Sequence, residues 1–525
     1  MTNPRGRPRI ARSRQPFLFD FSGGKISRRE YALWTAAAAL CFCGFYIFHR
    51  FWYNAVSLKA AAPVYYHDDI IKVRLSTRNR ALLENWRLHP PVVRLAGMNA
   101  RPVGGMARFY MTPVRNGWAG QMPCPWNAPP GSYRLELEGG CKYLKAGNVE
   151  IARRVPAKMP PKFVVLTMEY AGDYRSLRMK LPDGTIGGKD APARWAKHLG
   201  ADAVWALVGK TSGVKGAPWN TVDLASVREV GRQCHARGVK FGVWVMCYLT
   251  HIEKNNFFPR YQWAQEIENG RLKNVRAVSL RDGKRPDDIA DLLIKFRDMP
   301  EVDYLGLDYI RNALGGYELM DDFYAEMPWA PRPENWDRLS PGGKTAAFAA
   351  MKVARKNKQF IDDWQWWRAR SVARIVRHIK DRLGPSKPLW AFTLGWERGW
   401  QHGQDPPMIN DAGADYDAVM LYEATSGQFA EMMSDWGGYL KSADVQLVAG
   451  NVIDWPLHQN AGLGEYKSRF SRAMRRMYSD GNVPGIFVHD LCRLVGGRKG
   501  PASTEDWARA TREVIAEFRA LPDKK

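Results

Sequence analysis

From Pro160 onward, runs of consecutive apolar residues alternate with amphipathic stretches of helical period, and the cycle repeats eight times. Strands of a parallel sheet, buried on both faces, need such continuous runs, and the intervening stretches supply the covering helices. Strands are predicted at Phe163–Glu169, Ala203–Val208, Lys240–Cys247, Tyr304–Asp308, Leu389–Leu394, Ala418–Tyr422, Gln446–Val452 and Gly485–His489. Helices are predicted at Ala191–Leu199, Leu224–Arg237, Asp287–Arg297, Gln359–Leu383, Gln428–Leu440, Tyr466–Tyr478 and Thr504–Ala520; the helix expected between the fifth and sixth strands is left unassigned within Gly399–Asp415, which is rich in Gly, Pro and Asp. Eight units without a Gly-rich dinucleotide turn favour a (β/α)8 TIM barrel over residues 160–521 rather than a doubly wound open sheet.

Upstream the pattern changes. Residues 62–156 read as short alternating runs separated by turn residues, such as Ile70–Thr77 and Gly131–Gly140, and are expected to form a small immunoglobulin-like β-sandwich. Arg153–Pro161, with three prolines, is the expected linker. Tyr31–Tyr53 carries no charge until His49 and Arg50, long enough for a transmembrane helix. Residues 1–30 hold eight Lys and Arg, so the positive-inside rule leaves this end in the cytoplasm and the rest exoplasmic. The expected location is the bacterial inner membrane, single-pass, with a periplasmic catalytic domain. Arg28-Arg29 before the apolar run also resembles a twin-arginine signal, and export with cleavage near Ala60–Ala62 is the alternative.

The net charge of +25 suits an anionic or peptidoglycan-like polysaccharide, or lipid headgroups. Without zinc-finger spacing, a Walker loop or an RNA-binding aromatic signature, it does not point to nucleic acid. Cys124 and Cys141 are candidates for a disulfide in an exported domain. The remaining cysteines and the scattered His251, His402, His458 and His489 have no metal-ligand spacing, so no metal or cofactor is expected.

Barrel chemistry belongs at the C-terminal strand ends. Those ends bring Glu169, Tyr248, Asp308, Arg311, Trp396, Glu397, Tyr422, Glu423, Asn451, Asp454, Trp455 and Asp490 to one face. Within this set, Val302–Arg311, ending Leu307-Asp308-Tyr309-Ile310-Arg311, resembles the signature of the bacterial glycosyl-hydrolase-like family ten. Weaker likenesses lie in the Trp366-Trp367-Arg368 helix leading to Pro388–Phe392, in Gly238–Val245 and in Tyr416–Tyr422. The resemblance spans roughly Lys162 to Val488 and implies a glycoside hydrolase acting on bacterial wall or surface glycans. The chain departs from the family pattern at Glu423, where an aromatic residue is usual, and at Gly395–Trp400.

Glycoside cleavage generally needs two carboxyl groups, one giving a proton to the leaving oxygen and one attacking the sugar or activating water. Asp308 is expected as nucleophile or base, kept ionised by Arg311, with Glu423 as acid ahead of Glu397. Expected substrate contacts are Glu169, Tyr248, Arg311, Trp396, Tyr422, Asn451, Asp454, Trp455 and Asp490, joined by loop tryptophans Trp329, Trp336 and Trp400. Trp205, Trp244, Trp366, Trp367 and Trp390, inside predicted elements, are expected in the core. The long segment Asn312–Lys358 is expected to wall the cleft or cover it. The rival expectation is a catalytically inactive glycan-binding or envelope-scaffold protein on the same barrel.

Overall fold

The structure is a computed structural model describing residues 27–522, apart from 98–107, 127, 139–143, 171, 212–216, 221–222, 251–259, 423–424, 444, 454–461, 481 and 497–500. Eight parallel strands close into a barrel in sequence order: Phe163–Met168, Ala203–Thr211, Lys240–Thr250, Tyr304–Asp308, Leu389–Leu394, Tyr416–Met420, Gln446–Val452 and Asn482–His489. The last pairs with the first through Gly485 opposite Phe163. Every predicted strand is present, and so is each of the seven predicted helices. Helix Pro406–Ala412 lies in the stretch where the sequence assigns no clear helix.

Side chains alternate along each strand. Phe163, Trp205, Trp244, Tyr304, Trp390, Phe392, Tyr416 and Phe487 turn inward and fill the barrel. Trp205 and Trp390 stack with centroids 4.0 Å apart. Rings this large fit because glycine faces them: a Cβ on Gly306 would lie 2.3 Å from the Trp390 ring, and one on Gly450 1.9 Å from Phe487. The outward set, including Leu305, Leu307, Ala391 and Ile486, packs against the helices.

Before the barrel, a five-stranded and a four-stranded sheet share one core containing Leu58, Leu75, Val93, Leu135 and Ile151. The expected linker is pinned rather than free. Arg154 binds Asp415 at 2.8 Å, Met159 enters the lower end of the barrel core, and its amide donates to Gln446 Oε1 at 3.3 Å. The two units also meet at Trp126 and Trp400, stacked at 4.1 Å, and where Trp366 Nε1 donates to the Cys124 carbonyl at 2.8 Å. Cys124 is a buried free thiol, and Cys141 lies outside the described residues. Helix Arg28–Ile47 is long and apolar enough to cross a membrane, and none of it is buried.

Two structures were not predicted. Trp263–Glu268 and Arg271–Val278 form a hairpin above the third barrel strand. The segment 312–358 is not an open loop: it holds helices Met320–Glu326 and Pro341–Ala354, packed around Phe323, Phe348, Phe360 and Trp364.

Candidate active site

Strand parity selects which residues reach the barrel mouth. Val165 and Thr167 alternate inward on the first strand, so Glu169 continues that row beyond its end; on the fourth strand Tyr304, Gly306 and Asp308 share the inner face. Asp308 is 6% exposed, and its Oδ1 accepts from the Tyr309 amide at 2.7 Å. Tyr309 has φ +47°, a left-handed conformation that costs a bulky residue about 1–3 kcal/mol.

Burial pushes the Asp308 carboxyl up to about 7; the Tyr309 amide pulls it down, the charge of Glu169 pushes it up, and Arg311 and His489 pull it down. The expectation that Arg311 holds Asp308 ionised is therefore corrected: desolvation outweighs it. The Arg311 guanidinium lies over the Tyr309 ring, 4.8 Å from its centroid. Glu169 behaves oppositely. Burial pushes it up, but His489, Arg493 and Lys210 carry it below its ordinary value. Its carboxylate is 3.6 Å from His489 Nε2 and 3.9 Å from Arg493. The other His489 nitrogen, Nδ1, is 2.9 Å from Thr167 Oγ1, and Tyr422 stacks on the imidazole at 5.6 Å.

Three expected contacts turn elsewhere. Asp490 is buried, accepting from the Glu169 amide at 2.6 Å and the Arg493 amide at 2.8 Å, so it positions Glu169 rather than meeting solvent. Asn451 lies on the outward row and donates to the Tyr466 carbonyl at 3.4 Å. Tyr248 is fully buried in the layer between barrel and helices. The loop tryptophans are corrected too: Trp400 stacks on Trp126, Trp329 on Tyr110 at 5.4 Å, and Trp336 packs against Tyr324, all as packing between units or segments. Glu423, Asp454 and Trp455, with His251 and His458, lie outside the described residues, as do the side chains of Trp396 and Glu397. The sequence places His489 at the end of the eighth strand without assigning it a substrate contact, and the structure sets it between Glu169 and Thr167. Among the described residues no group of His, Cys, Asp and Glu could hold a metal ion.

A closed parallel barrel with charged and aromatic side chains at its C-terminal mouth is the class this chain represents. No family model and no curated protein matches it. Similar solved structures include a β-galactosidase from Marinomonas ef1, 10% identical over 68% of this chain and 59% of that one, with TM-score 0.43. An α-galactosidase from Geobacillus stearothermophilus is 11% identical over 89% and 58%, with TM-score 0.38. A Rhizomucor miehei chitinase is 11% identical over 67% and 99%, with TM-score 0.33. The chain spans less than two thirds of the length of either galactosidase.

Proposed function

We propose that the chain is a membrane-tethered, exoplasmic glycoside hydrolase acting on a bacterial envelope or extracellular polysaccharide. The observation that carries this reading is the opposite displacement of two carboxyls at one barrel mouth: Asp308 pushed up to about 7 and Glu169 held below its ordinary range. Environments that drive two acids apart assign them different roles. Asp308, neutral through most of the range below pH 7, gives its proton to the glycosidic oxygen; Glu169, ionised, attacks the sugar carbon or activates water. Arg493 and His489 stabilise the Glu169 charge. Helix Arg28–Ile47 supplies the tether, with its basic flank in the cytoplasm.

The test is release of reducing ends from peptidoglycan and acidic exopolysaccharide by the full chain in detergent micelles, comparing wild type with Asp308→Asn, Glu169→Gln, Glu397→Gln and Glu423→Gln. Loss of turnover in Asp308→Asn and Glu169→Gln supports the assignment. Full activity in Glu169→Gln moves the second role to Glu423 or Glu397. Binding without turnover in wild type favours the inactive glycan-binding protein.

A further inference from the structure

Beside Tyr309, a cavity of about 250 Å³ opens at the barrel mouth, between the fourth strand's end and the hairpin Trp263–Val278. This lies just below the ~300–1,000 Å³ usual for small-molecule sites, room for one ring rather than an extended chain. Its wall is fixed: Glu318 accepts from the Gln265 amide and from Ser279 Oγ, both at 2.8 Å, anchoring the hairpin.

The polar lining is unusual. Asn312 is 3% exposed, and among the described residues both its amide nitrogen and its amide oxygen are buried without a hydrogen-bond partner. An amide desolvated in this way is costly unless something entering the cavity completes its hydrogen bonds. Arg311 and Arg276 also line the cavity, and among the described residues neither has a salt bridge. The Arg311 guanidinium lies over the face of the Tyr309 ring, a placement that uses no N–H donor. One carboxylate, Glu266, stands opposite, with one oxygen taken by the Gly315 amide at 3.2 Å. His402 is pushed down to about 3 by burial and then by Arg311, Arg368 and Lys352, so it stays neutral in this positive field. Leu249, Val275 and Ala277 make an apolar floor.

We propose that this cavity is a subsite for a carboxylate-bearing sugar: Arg311 and Arg276 take the carboxylate, Asn312 a ring hydroxyl, and the floor the CH face of the pyranose. A guanidinium fork matches a carboxylate in two parallel hydrogen bonds, and an amide supplies both donor and acceptor to a hydroxyl. A neutral sugar leaves two arginines unused. A bare phosphate leaves the floor and the amide unused. The inference rests on the glycosidase reading for its place in the reaction, but not for the binding itself.

The test is titration of the full chain in detergent micelles with glucuronate, glucose and inorganic phosphate, followed by ligand-observed NMR. The expected result is glucuronate binding that glucose does not displace, weakened about tenfold or more in Arg311→Gln and in Arg276→Gln, and retained in Asp308→Asn. Arg276, exposed on the hairpin, provides the variant that spares the fold. Equal binding of glucose, equal binding of phosphate, or glucuronate binding indifferent to both arginine variants overturns the proposal. Arginine-dependent glucuronate binding without hydrolysis of any glycan leaves the subsite standing and removes the enzyme. Hydrolysis of glycans by wild type, with glucuronate binding indifferent to both arginine variants, does the reverse.

Discussion

The buried carboxylate of Asp490 accepts from the backbone amide of Glu169 at 2.6 Å, tying the end of the first barrel strand to the end of the eighth. The same carboxylate accepts from the Arg493 amide at 2.8 Å and lies 3.7 Å from its guanidinium, so one acid orders both Glu169 and a cation beside it. Asp490→Ala is expected to lower kcat by about 10²-fold through misplacement of Glu169, with KM little changed. Steady-state kinetics on the polysaccharide that proves hydrolysable checks this, and an unchanged kcat refutes it.

Activity is expected to be bell-shaped in pH. The alkaline limb belongs to Asp308, which must keep its proton and loses it near 7; the acid limb belongs to Glu169, held below its ordinary value. A profile of kcat/KM reports these limbs for the free enzyme. Asp308→Asn should lower turnover by about 10²–10⁴-fold. An activity flat to pH 9 in wild type would remove Asp308 from the acid role.

The barrel was legible because its physics is local: continuous apolar runs specify strands buried on both faces, and all eight runs became strands. Tyr304–Asp308, Leu389–Leu394 and Gln446–Val452 agree to the residue. The hairpin above the third strand was also readable. Asn269-Gly270 joins Glu268 to Arg271 with φ of +52° and +74°, the conformation a two-residue hairpin turn demands. The charge states were not legible. Arg311 follows Asp308 closely in sequence, yet burial by the whole barrel decides that titration. Nor does a sequence reveal that Trp400 and Trp329 face another unit of the chain, because a ring exposed on a loop and a ring stacked across a seam have the same local signature.

That seam depends on His67, whose Nδ1 lies 2.7 Å from Asp411 and whose Nε2 lies 2.8 Å from the Ala128 carbonyl. Burial pushes the Asp411 carboxyl up, but His67, Arg153 and the Arg154 amide hold it below its ordinary value. A depressed folded value means this stabilisation is complete above the unfolded value near ~3.9 and is lost as pH falls through the folded one. Acid should therefore loosen the seam, and Trp126 on Trp400 provides the fluorescence signal. His67→Ala, which removes a buried partner, should cost about 3 kcal/mol at neutral pH. Identical denaturation midpoints for variant and wild type would show that the seam does not depend on the pair.

Asp417 carries the opposite sign. It is fully buried on the outward face of the sixth barrel strand; Thr393 donates its hydroxyl to one carboxylate oxygen, and the other has no partner among the described residues. Burial pushes it up to about 8, with Thr393 pulling down and Asp405 pushing up. The folded chain thus holds a proton that the unfolded chain releases near ~3.9, so stability falls as pH rises from there through about 8. Asp417→Asn cannot ionise, keeps the Thr393 hydrogen bond, and should match wild type near pH 4 while melting several degrees higher at pH 9. Thermal unfolding across that range decides it: a variant that melts lower at pH 9 would mean that the ionised carboxylate is stabilised there by a contact the amide cannot make.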